Sequence, residues 1–139
     1  MAQRNFISLP VANLKKSTDF YLALGFKFNP QFSAENASAL IFNEQLTFML
    51  LTHEFYSKFT SKSIADTHKT SGVIISLGMD SKEEVQKFAD TAKANGGSFY
   101  MAEPTKEMGD AMFVLEVEDL DGHLIEPSFM DMSKFPSAI

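Results

Sequence analysis

An internal repeat is the feature of this chain that most constrains its fold. The segment Phe6-Ile7-Ser8-Leu9 resembles Ile74-Ile75-Ser76-Leu77. Each segment is short and apolar, as a buried strand is, and each is followed by a helical pattern. A repeat at this distance predicts two copies of one structural unit, each with its own strands and helix.

Both predicted helices have clear boundaries. The first is expected from about Leu14 to Leu24, with Asn13 as the N-cap and Gly25 allowing the chain to leave the helix. The second is expected after Ser81, which forms a capping box with the residue three positions on. The apolar faces predicted for the two helices are Leu14, Phe20, Tyr21 and Leu24 in the first, and Val85, Phe88, Ala89 and Ala92 in the second.

Three strands are predicted after each helix. Those of the first half are Lys27–Phe32, Ala39–Phe42 and Leu46–Thr52, and those of the second half are Ser98–Ala102, Met112–Glu118 and His123–Met130. The turn Asp119-Leu120-Asp121-Gly122 joins the last two strands, with Gly122 able to take a positive φ. We therefore predict an α+β fold in a single domain, 1–139, made of two βαβββ modules, approximately 1–52 and 72–132.

The linker between the modules, 53–71, is polar and carries a few apolar residues. A connection of this length is either functional or contains short helices. Phe55 and Phe59 are four residues apart, and this spacing predicts one helical turn packed on the first module.

Composition excludes several classes of function. The chain of 139 residues has no cysteine, which removes disulfides, thiolate metal ligands and cysteine nucleophiles. Its net charge is −6 and no basic cluster exceeds Lys15-Lys16, so we expect no nucleic-acid partner. No apolar run is long enough to span a membrane, and the first residues lack the apolar core of a signal peptide. We therefore expect a cytoplasmic protein with no membrane partner.

Two motifs resemble one known superfamily. Leu9-Pro10-Val11-Ala12-Asn13-Leu14-Lys15-Lys16-Ser17-Thr18-Asp19-Phe20-Tyr21, followed by Leu24-Gly25-Phe26, and the later Glu118-Asp119-Leu120-Asp121-Gly122-His123-Leu124-Ile125-Glu126 resemble the opening and closing motifs of the vicinal oxygen chelate superfamily. This superfamily comprises glyoxalases, bleomycin resistance proteins and extradiol dioxygenases. The resemblance covers nearly the whole chain and implies paired modules around a cleft, usually in a homodimer. Leu120 departs from the usual proline of the closing motif.

The resemblance also implies where a metal would be bound. Metal-using members take four ligands from the first and last strands of each module, and these positions fall here on Phe6, Leu50, Ile74 and Glu126. The position at Leu50 is uncertain by one residue, and Val73 is the alternative to Ile74. Phenylalanine, leucine and isoleucine have no donor lone pair for a metal. We therefore predict no divalent metal and no other cofactor. The same four residues are instead predicted to bind a ligand in an apolar pocket that holds one acid.

Three functions follow as hypotheses. The first is metal-free binding of a small, largely apolar molecule, which the single acid would allow to be cationic. The second is an enzyme, a glyoxalase-like lyase or isomerase, with Glu126 as the catalytic acid or base or with a metal held by other groups. The third is an interaction module whose cleft is filled by its own side chains. For Glu126 itself, the alternative is a half-exposed strand residue paired with a lysine.

Other candidate residues are given structural interpretations. His123 is expected to be a solvent-facing or turn-bonding residue, with a proton shuttle as the alternative. His53 and His68 are expected at the surface. Glu116 and Glu118 alternate with apolar neighbours, which predicts an exposed polar strand face. Pro127 cannot donate a hydrogen bond to a sheet, which predicts that its strand is an edge strand or locally irregular.

Overall fold

The structure is a computed structural model and describes residues 3–135. It divides into two compact units, residues 1–70 and 71–139, and each is described by itself. Both combine a mixed sheet with one long helix, which confirms the predicted α+β class and the repeat. No helix in the described residues is long and apolar enough to cross a membrane.

The first unit begins with strand β1 and helix α1 and continues with three more strands and one helical turn. Its elements are β1 (Asn5–Val11), α1 (Leu14–Ala23), β2 (Lys27–Phe28), β3 (Ala37–Asn43), β4 (Leu46–Thr52) and α2 (His53–Tyr56). The strands lie in the order β1-β4-β3-β2, with β1 parallel to β4 and the other pairs antiparallel.

The second unit repeats this plan with one strand divided in two. Its elements are β5 (Ile74–Gly78), α3 (Lys82–Ala94), β6 (Ser98–Tyr100), α4 (Glu103–Lys106), β7 (Met112–Val114), β8 (Glu116–Glu118) and β9 (Leu124–Met130). The strands lie in the order β5-β9-β8-β6, β7 also pairs with β9, and β5 is parallel to β9.

The caps of the two long helices form as their sequences predict. Asn13 Oδ1 accepts a hydrogen bond from the Lys16 N–H at 3.0 Å. Gly25 has a φ of 100°, a left-handed conformation that other residues rarely adopt. Ser81 Oγ accepts from the Glu84 N–H at 3.1 Å, whereas the Glu84 carboxylate accepts from the Asp80 N–H at 2.9 Å. The reciprocal bond of the predicted capping box therefore goes to the residue before the cap.

The helices bury one face each against their own sheets. The predicted stripe Val85, Phe88, Ala89 and Ala92 is buried in full. In α1 the buried residues are Ser17, Phe20 and Tyr21, because Leu14 and Leu24 at the helix ends are only half-buried. Tyr21 is the centre of an aromatic cluster, with ring centroids 5.2, 5.1 and 5.6 Å from those of Phe20, Phe26 and Phe48.

Two of the predicted strands are shorter than expected. The strand predicted at Lys27–Phe32 ends at Phe28, and Pro30–Phe32 forms a 3-10 turn instead. The Asn29 side chain caps this turn by accepting from the Gln31 N–H, and the fixed φ of proline suits the start of a helical turn. The strand predicted at Ser98–Ala102 ends at Tyr100, before helix α4, which the sequence analysis missed.

Pro127 explains why the strand predicted at Met112–Glu118 is divided. The register of β7 and β8 on β9 is continuous, since Val114 pairs with Ser128 and Val117 with Ile125. Leu115 lies opposite Pro127 and donates its N–H to the Pro127 carbonyl at 3.3 Å. Proline has no N–H to return this bond. The strand is therefore irregular at Leu115, although β9 has neighbours on both sides and is not an edge strand.

The linker contains the predicted helical turn. Helix α2 begins after Thr52, whose Oγ1 accepts from the Phe55 N–H at 3.2 Å. The rings of Phe55 and Phe59 are in edge-to-face contact with centroids 5.1 Å apart. This turn contacts β1 and β4, so it packs on the first unit as expected.

Candidate functional site: a pair of facing glutamates

Glu126 lies in the middle of β9, on the sheet face opposite to α3. Its register partner on β5 is Ser76, and two positions earlier Leu124 pairs with Ile74. Because side chains alternate along a strand, Ile74 and Glu126 share this face, while Ile75 and Ile125 are buried on the other one. The structure therefore brings together the two predicted site residues of the second unit.

Glu116 occupies the position opposite Glu126 on β8. The pair one residue further along β8 is Val117–Ile125, so Glu116 and Glu126 are direct cross-strand neighbours. Glu116 is only 5% exposed, and the interpretation of its strand face as exposed was wrong. The physical reason is that the side chains of Glu126 on β9 and Tyr100 on β6 flank Glu116 on the same face, because β8 is an interior strand. The hairpin turn at residues 119–122 fixes this register. Counting residues outward from the turn along both strands would have placed Glu116 opposite Glu126.

The two glutamates belong to a row of polar residues that crosses the sheet. Tyr100 is the partner of Glu116 on β6, and Ser76 is the partner of Glu126 on β5. The Ser76 hydroxyl lies 3.1 Å from that of Ser128. In the order of the strands, the row is Ser76, Glu126, Glu116 and Tyr100.

Near neutral pH the pair retains a proton that a single exposed glutamate would have released. Burial, a hydrogen bond with Glu126 and the charge of Glu126 together raise the pKa of Glu116 to about 7. Two carboxylates repel each other when both are ionised, and a proton between them relieves this repulsion. No ion pair in the described part of the chain involves either glutamate, and no cation contributes to the raised pKa.

One oxygen of the pair has no partner. Glu116 Oε1 is buried and accepts no hydrogen bond from any described residue. A buried carboxyl oxygen without a donor is costly, and such groups in folded proteins commonly have a functional explanation. The glutamate pair can therefore accept a hydrogen bond or bind a cation, and it can exchange a proton near neutral pH.

The two predicted site residues of the first unit lie on opposite faces of their sheet. Phe6 pairs with Thr47, so residues sharing its face on β4 are Thr47 and Met49. Leu50 points to the other face, toward α1, and is completely buried. The structure does not bring Leu50 together with Phe6. The two neighbours of Leu50 on β4, Met49 and Leu51, are the residues near this position that share the face of Phe6.

The residues at the positions implied for a metal do not fit one. Phe6 and Ile74 have no donor atoms, and neither Leu50 nor its neighbour Met49 offers a nitrogen or oxygen ligand from its side chain. Across residues 3–135, no three histidine, aspartate or glutamate side chains lie close enough together to hold a metal ion. The chemistry of this site is therefore derived from its carboxyl groups alone.

A pocket of about 760 Å³ lies in the first unit, at the end of the sheet where β1 begins. It is lined by both aromatic and polar residues, among them Phe6, Phe32, Ile41, Arg4, Lys27 and Thr47. Phe6, one of the four predicted ligand-binding residues, lines this pocket.

The histidines have structural roles or surface positions. His123 is buried, and its backbone N–H donates to Asp119 Oδ1 at 2.9 Å within the turn between β8 and β9. The backbone of His123 therefore bonds within the turn as expected, the solvent-facing interpretation of the residue was wrong, and the proton shuttle stays a prediction. His53 and His68 are exposed, as expected.

Comparison with known families assigns the chain. The family model of the Glyoxalase/Bleomycin resistance protein/Dioxygenase superfamily matches residues 3–126. The chain belongs to this superfamily. A comparison with proteins of curated function finds no match.

Solved structures share this fold. A hypothetical protein from S. aureus is 26% identical with a TM-score of 0.72, over 93% of this chain and 94% of that chain. A glyoxalase/bleomycin resistance protein/dioxygenase family enzyme from Burkholderia phytofirmans PsJN is 16% identical with a TM-score of 0.74, over 93% and 99%. The bleomycin resistance determinant encoded on the transposon Tn5 is 15% identical with a TM-score of 0.59, over 94% and 99%.

Proposed function

We propose that this protein binds a small molecule that has an apolar body and a cationic or hydrogen-bond-donating group, without using a metal ion. The observation that carries the proposal is the pair Glu116–Glu126, in which a buried carboxyl oxygen has no donor and no cation of the described chain balances the charge. A ligand ammonium or amide N–H would supply the missing partner.

The neighbours of the pair suit the apolar part of such a ligand. Ile74 lies on the same sheet face and is 52% exposed, and Leu124 beside it is half-buried. Binding sites combine apolar walls with a few polar groups that fix the orientation of the ligand. An apolar ring that carries an ammonium group matches both features, the exposed Ile74 and the glutamate pair, and is the first class of ligand to test.

The test compares two probes of the same shape, naphthylmethylammonium and the neutral naphthylmethanol, by isothermal titration calorimetry at pH 8. We expect the cation to bind about tenfold more tightly than the alcohol, because a hydrogen bond to a charged, desolvated carboxyl contributes 1.5–3 kcal/mol (roughly 1.4 kcal/mol per tenfold). Glu126→Gln and Glu116→Gln should each remove this preference.

Glu118→Gln is the matched control. It makes the same change in charge on the same strand, at a residue that accepts a hydrogen bond from Ser98 Oγ instead of facing another acid. This variant should keep the preference for the cation. Equal affinity for both probes in the unaltered protein, or an unchanged preference in both pair variants, would contradict the proposal.

A second candidate function is acid–base catalysis, as in a lyase or isomerase of the superfamily. It is favoured by the pKa of Glu116 of about 7, since a catalytic acid or base is most effective when its pKa is near the working pH. The hemithioacetal of methylglyoxal and glutathione is a suitable probe, assayed in the presence of a chelator. Turnover that resists the chelator and is lost in Glu126→Gln would favour the enzyme, and absence of turnover would favour binding alone.

We also propose a homodimer, because the superfamily that the chain belongs to commonly forms one. Light scattering coupled to size-exclusion chromatography should give twice the chain mass of 15.5 kDa. A mass equal to that of one chain over the working concentration range would reject the dimer and leave the ligand proposal intact.

A further inference from the structure

We propose that the first unit carries a second ligand site, specific for a small aromatic anion, in the pocket lined by Arg4, Phe6, Lys27, Asn29, Phe32 and Asn43. This site lies in the other compact unit from the glutamate pair and has the opposite charge preference, so it goes beyond the function proposed above. Four features of the pocket carry the inference.

The first feature is the size of the pocket. Its volume of about 760 Å³ falls within the range of sites that hold drug-sized molecules, roughly 300–1,000 Å³. The sheet wall of the pocket is formed by the register neighbours Phe6, Thr47, Ile41 and Lys27 on four adjacent strands. These side chains share the face opposite to α1.

The second feature is an exposed aromatic pair. Phe6 and Phe32 are 50% and 47% exposed, and their rings meet edge to face with centroids 6.3 Å apart. Exposing two large apolar side chains to water is unfavourable, and a ligand that covers them would gain the free energy of burying their surface. An edge-to-face pair also accommodates a further ring readily.

The third feature is positive charge without a partner. Neither Arg4 nor Lys27 takes part in an ion pair or side-chain hydrogen bond among residues 3–135. Glu44 is the acidic residue in the lining, so the pocket is lined by two positive charges and one negative charge. The whole chain has a net charge of −6, so the sign of this pocket is opposite to that of the protein.

The fourth feature is a surplus of hydrogen-bond donors. Asn29 Oδ1 already accepts from the Gln31 N–H, and Asn43 Oδ1 accepts from the N–H groups of Gln45 and Leu46, each at 2.9–3.0 Å. The amide oxygen of Asn43 is fully used and that of Asn29 is used once, whereas neither amide N–H₂ group has an acceptor among residues 3–135, so both groups can donate to a ligand. A ligand rich in acceptor oxygens, such as a carboxylate, matches both these amides and the two cations.

The test uses naphthoate and the neutral naphthamide as probes in isothermal titration calorimetry. We expect naphthoate to bind about fivefold more tightly in low salt, and the difference to shrink as salt is added. Lys27→Gln and Arg4→Gln should each reduce the preference, and Phe6→Ala should weaken both probes alike.

Lys62→Gln is the control, because Lys62 is an exposed lysine of the same unit that does not line the pocket. It should leave the preference unchanged. Circular dichroism melts of Lys27→Gln and Arg4→Gln verify that each variant is folded, and if one is not, the salt dependence of the unaltered protein decides. Equal affinity for the two probes at low salt, or a preference that Lys27→Gln, Arg4→Gln and Lys62→Gln leave equally intact, would overturn the proposal.

The two proposals fail separately. Glu126→Gln should not affect naphthoate binding, and Lys27→Gln should not affect the preference for naphthylmethylammonium. Loss of naphthoate binding in Glu126→Gln would mean that both probes occupy one site, and it would contradict the proposal of a second ligand site.

Discussion

Glu116 on β8 and Glu126 on β9 lie directly opposite each other in adjacent antiparallel strands. Like charges in this arrangement destabilise a sheet. The pair is tolerated because the pKa of Glu116 is about 7. Below that pH Glu116 is mostly protonated, so the two carboxyls together carry less than two negative charges. This arrangement makes the folding stability of the protein depend on pH.

We predict that the protein loses stability between mildly acidic and neutral pH. The pKa of Glu116 is raised by folding from 4.5 to about 7, so its contribution is fully present below pH 4.5 and is lost as the pH rises through 7. The loss for this group is on the order of 1–2 kcal/mol, because solvent screening and the coupling to Glu126 reduce the effect of the full shift. In urea unfolding, Glu116→Gln should flatten the dependence on pH, whereas Glu118→Gln should not. A slope that is the same in both variants would contradict this explanation.

Replacing Leu50 and Ile74 should separate packing from binding. Leu50→Ala should destabilise the protein by about 2–5 kcal/mol, because it leaves a cavity at a completely buried position. Ile74→Ala should cost far less stability, since Ile74 is half exposed, but should weaken the binding of naphthylmethylammonium. Thermal melts and calorimetry on the same samples provide both measurements. Weaker binding of naphthylmethylammonium to a folded Leu50→Ala protein would show that Leu50 belongs to the ligand site.

Removing the N-cap of α3 should have a moderate effect. Ser81→Ala eliminates the acceptor for the Glu84 N–H and should cost about 1 kcal/mol. Ser63→Ala, at an exposed linker position, is the control and should be nearly neutral. Equal unfolding free energies for the two variants would show that the helix begins with another acceptor.

Gly25→Ala should destabilise the protein through the backbone alone. Gly25 has a φ of 100° and open space where a Cβ would lie, so no collision contributes to the cost. The left-handed conformation should cost about 1 kcal/mol. Gly72 also has open space but not this conformation, and Gly72→Ala should be neutral or slightly stabilising. Chemical denaturation of the two variants makes the comparison, and similar losses in both would reject the role of φ.

The fold was predictable because residues close in sequence determine where its helices and turns begin and end. Asn13, Gly25, Ser81 and Gly122 end or begin elements through their own backbone and side-chain chemistry, which needs no knowledge of the rest of the chain. Each of them acts as expected in the structure. The short helix at Glu103–Lys106 has no side-chain cap, and its weaker signals, Pro104 near the start with Glu103 in the first turn and Lys106 in the last, were not used to predict it.

The candidate site was only partly predictable, because it depends on which way each strand residue faces. Leu50 and Met49 are one residue apart and point to opposite faces, so the uncertainty of one residue decided between core and surface. Glu116 was missed because an alternating pattern does not reveal which side chains of other strands flank a residue, and Glu116 lies between Glu126 of β9 and Tyr100 of β6.

The aromatic cluster around Tyr21 provides an optical signal for one part of the chain. The protein has no tryptophan and three tyrosines, and Tyr21 is the one enclosed by other rings. Its near-ultraviolet circular dichroism should therefore report on the first unit, whereas Tyr100, which is exposed and lies beside Glu116, should respond to what happens at the second. Because the bands of the tyrosines overlap, the difference between the spectra of the unaltered protein and of Tyr21→Phe isolates the contribution of the first unit.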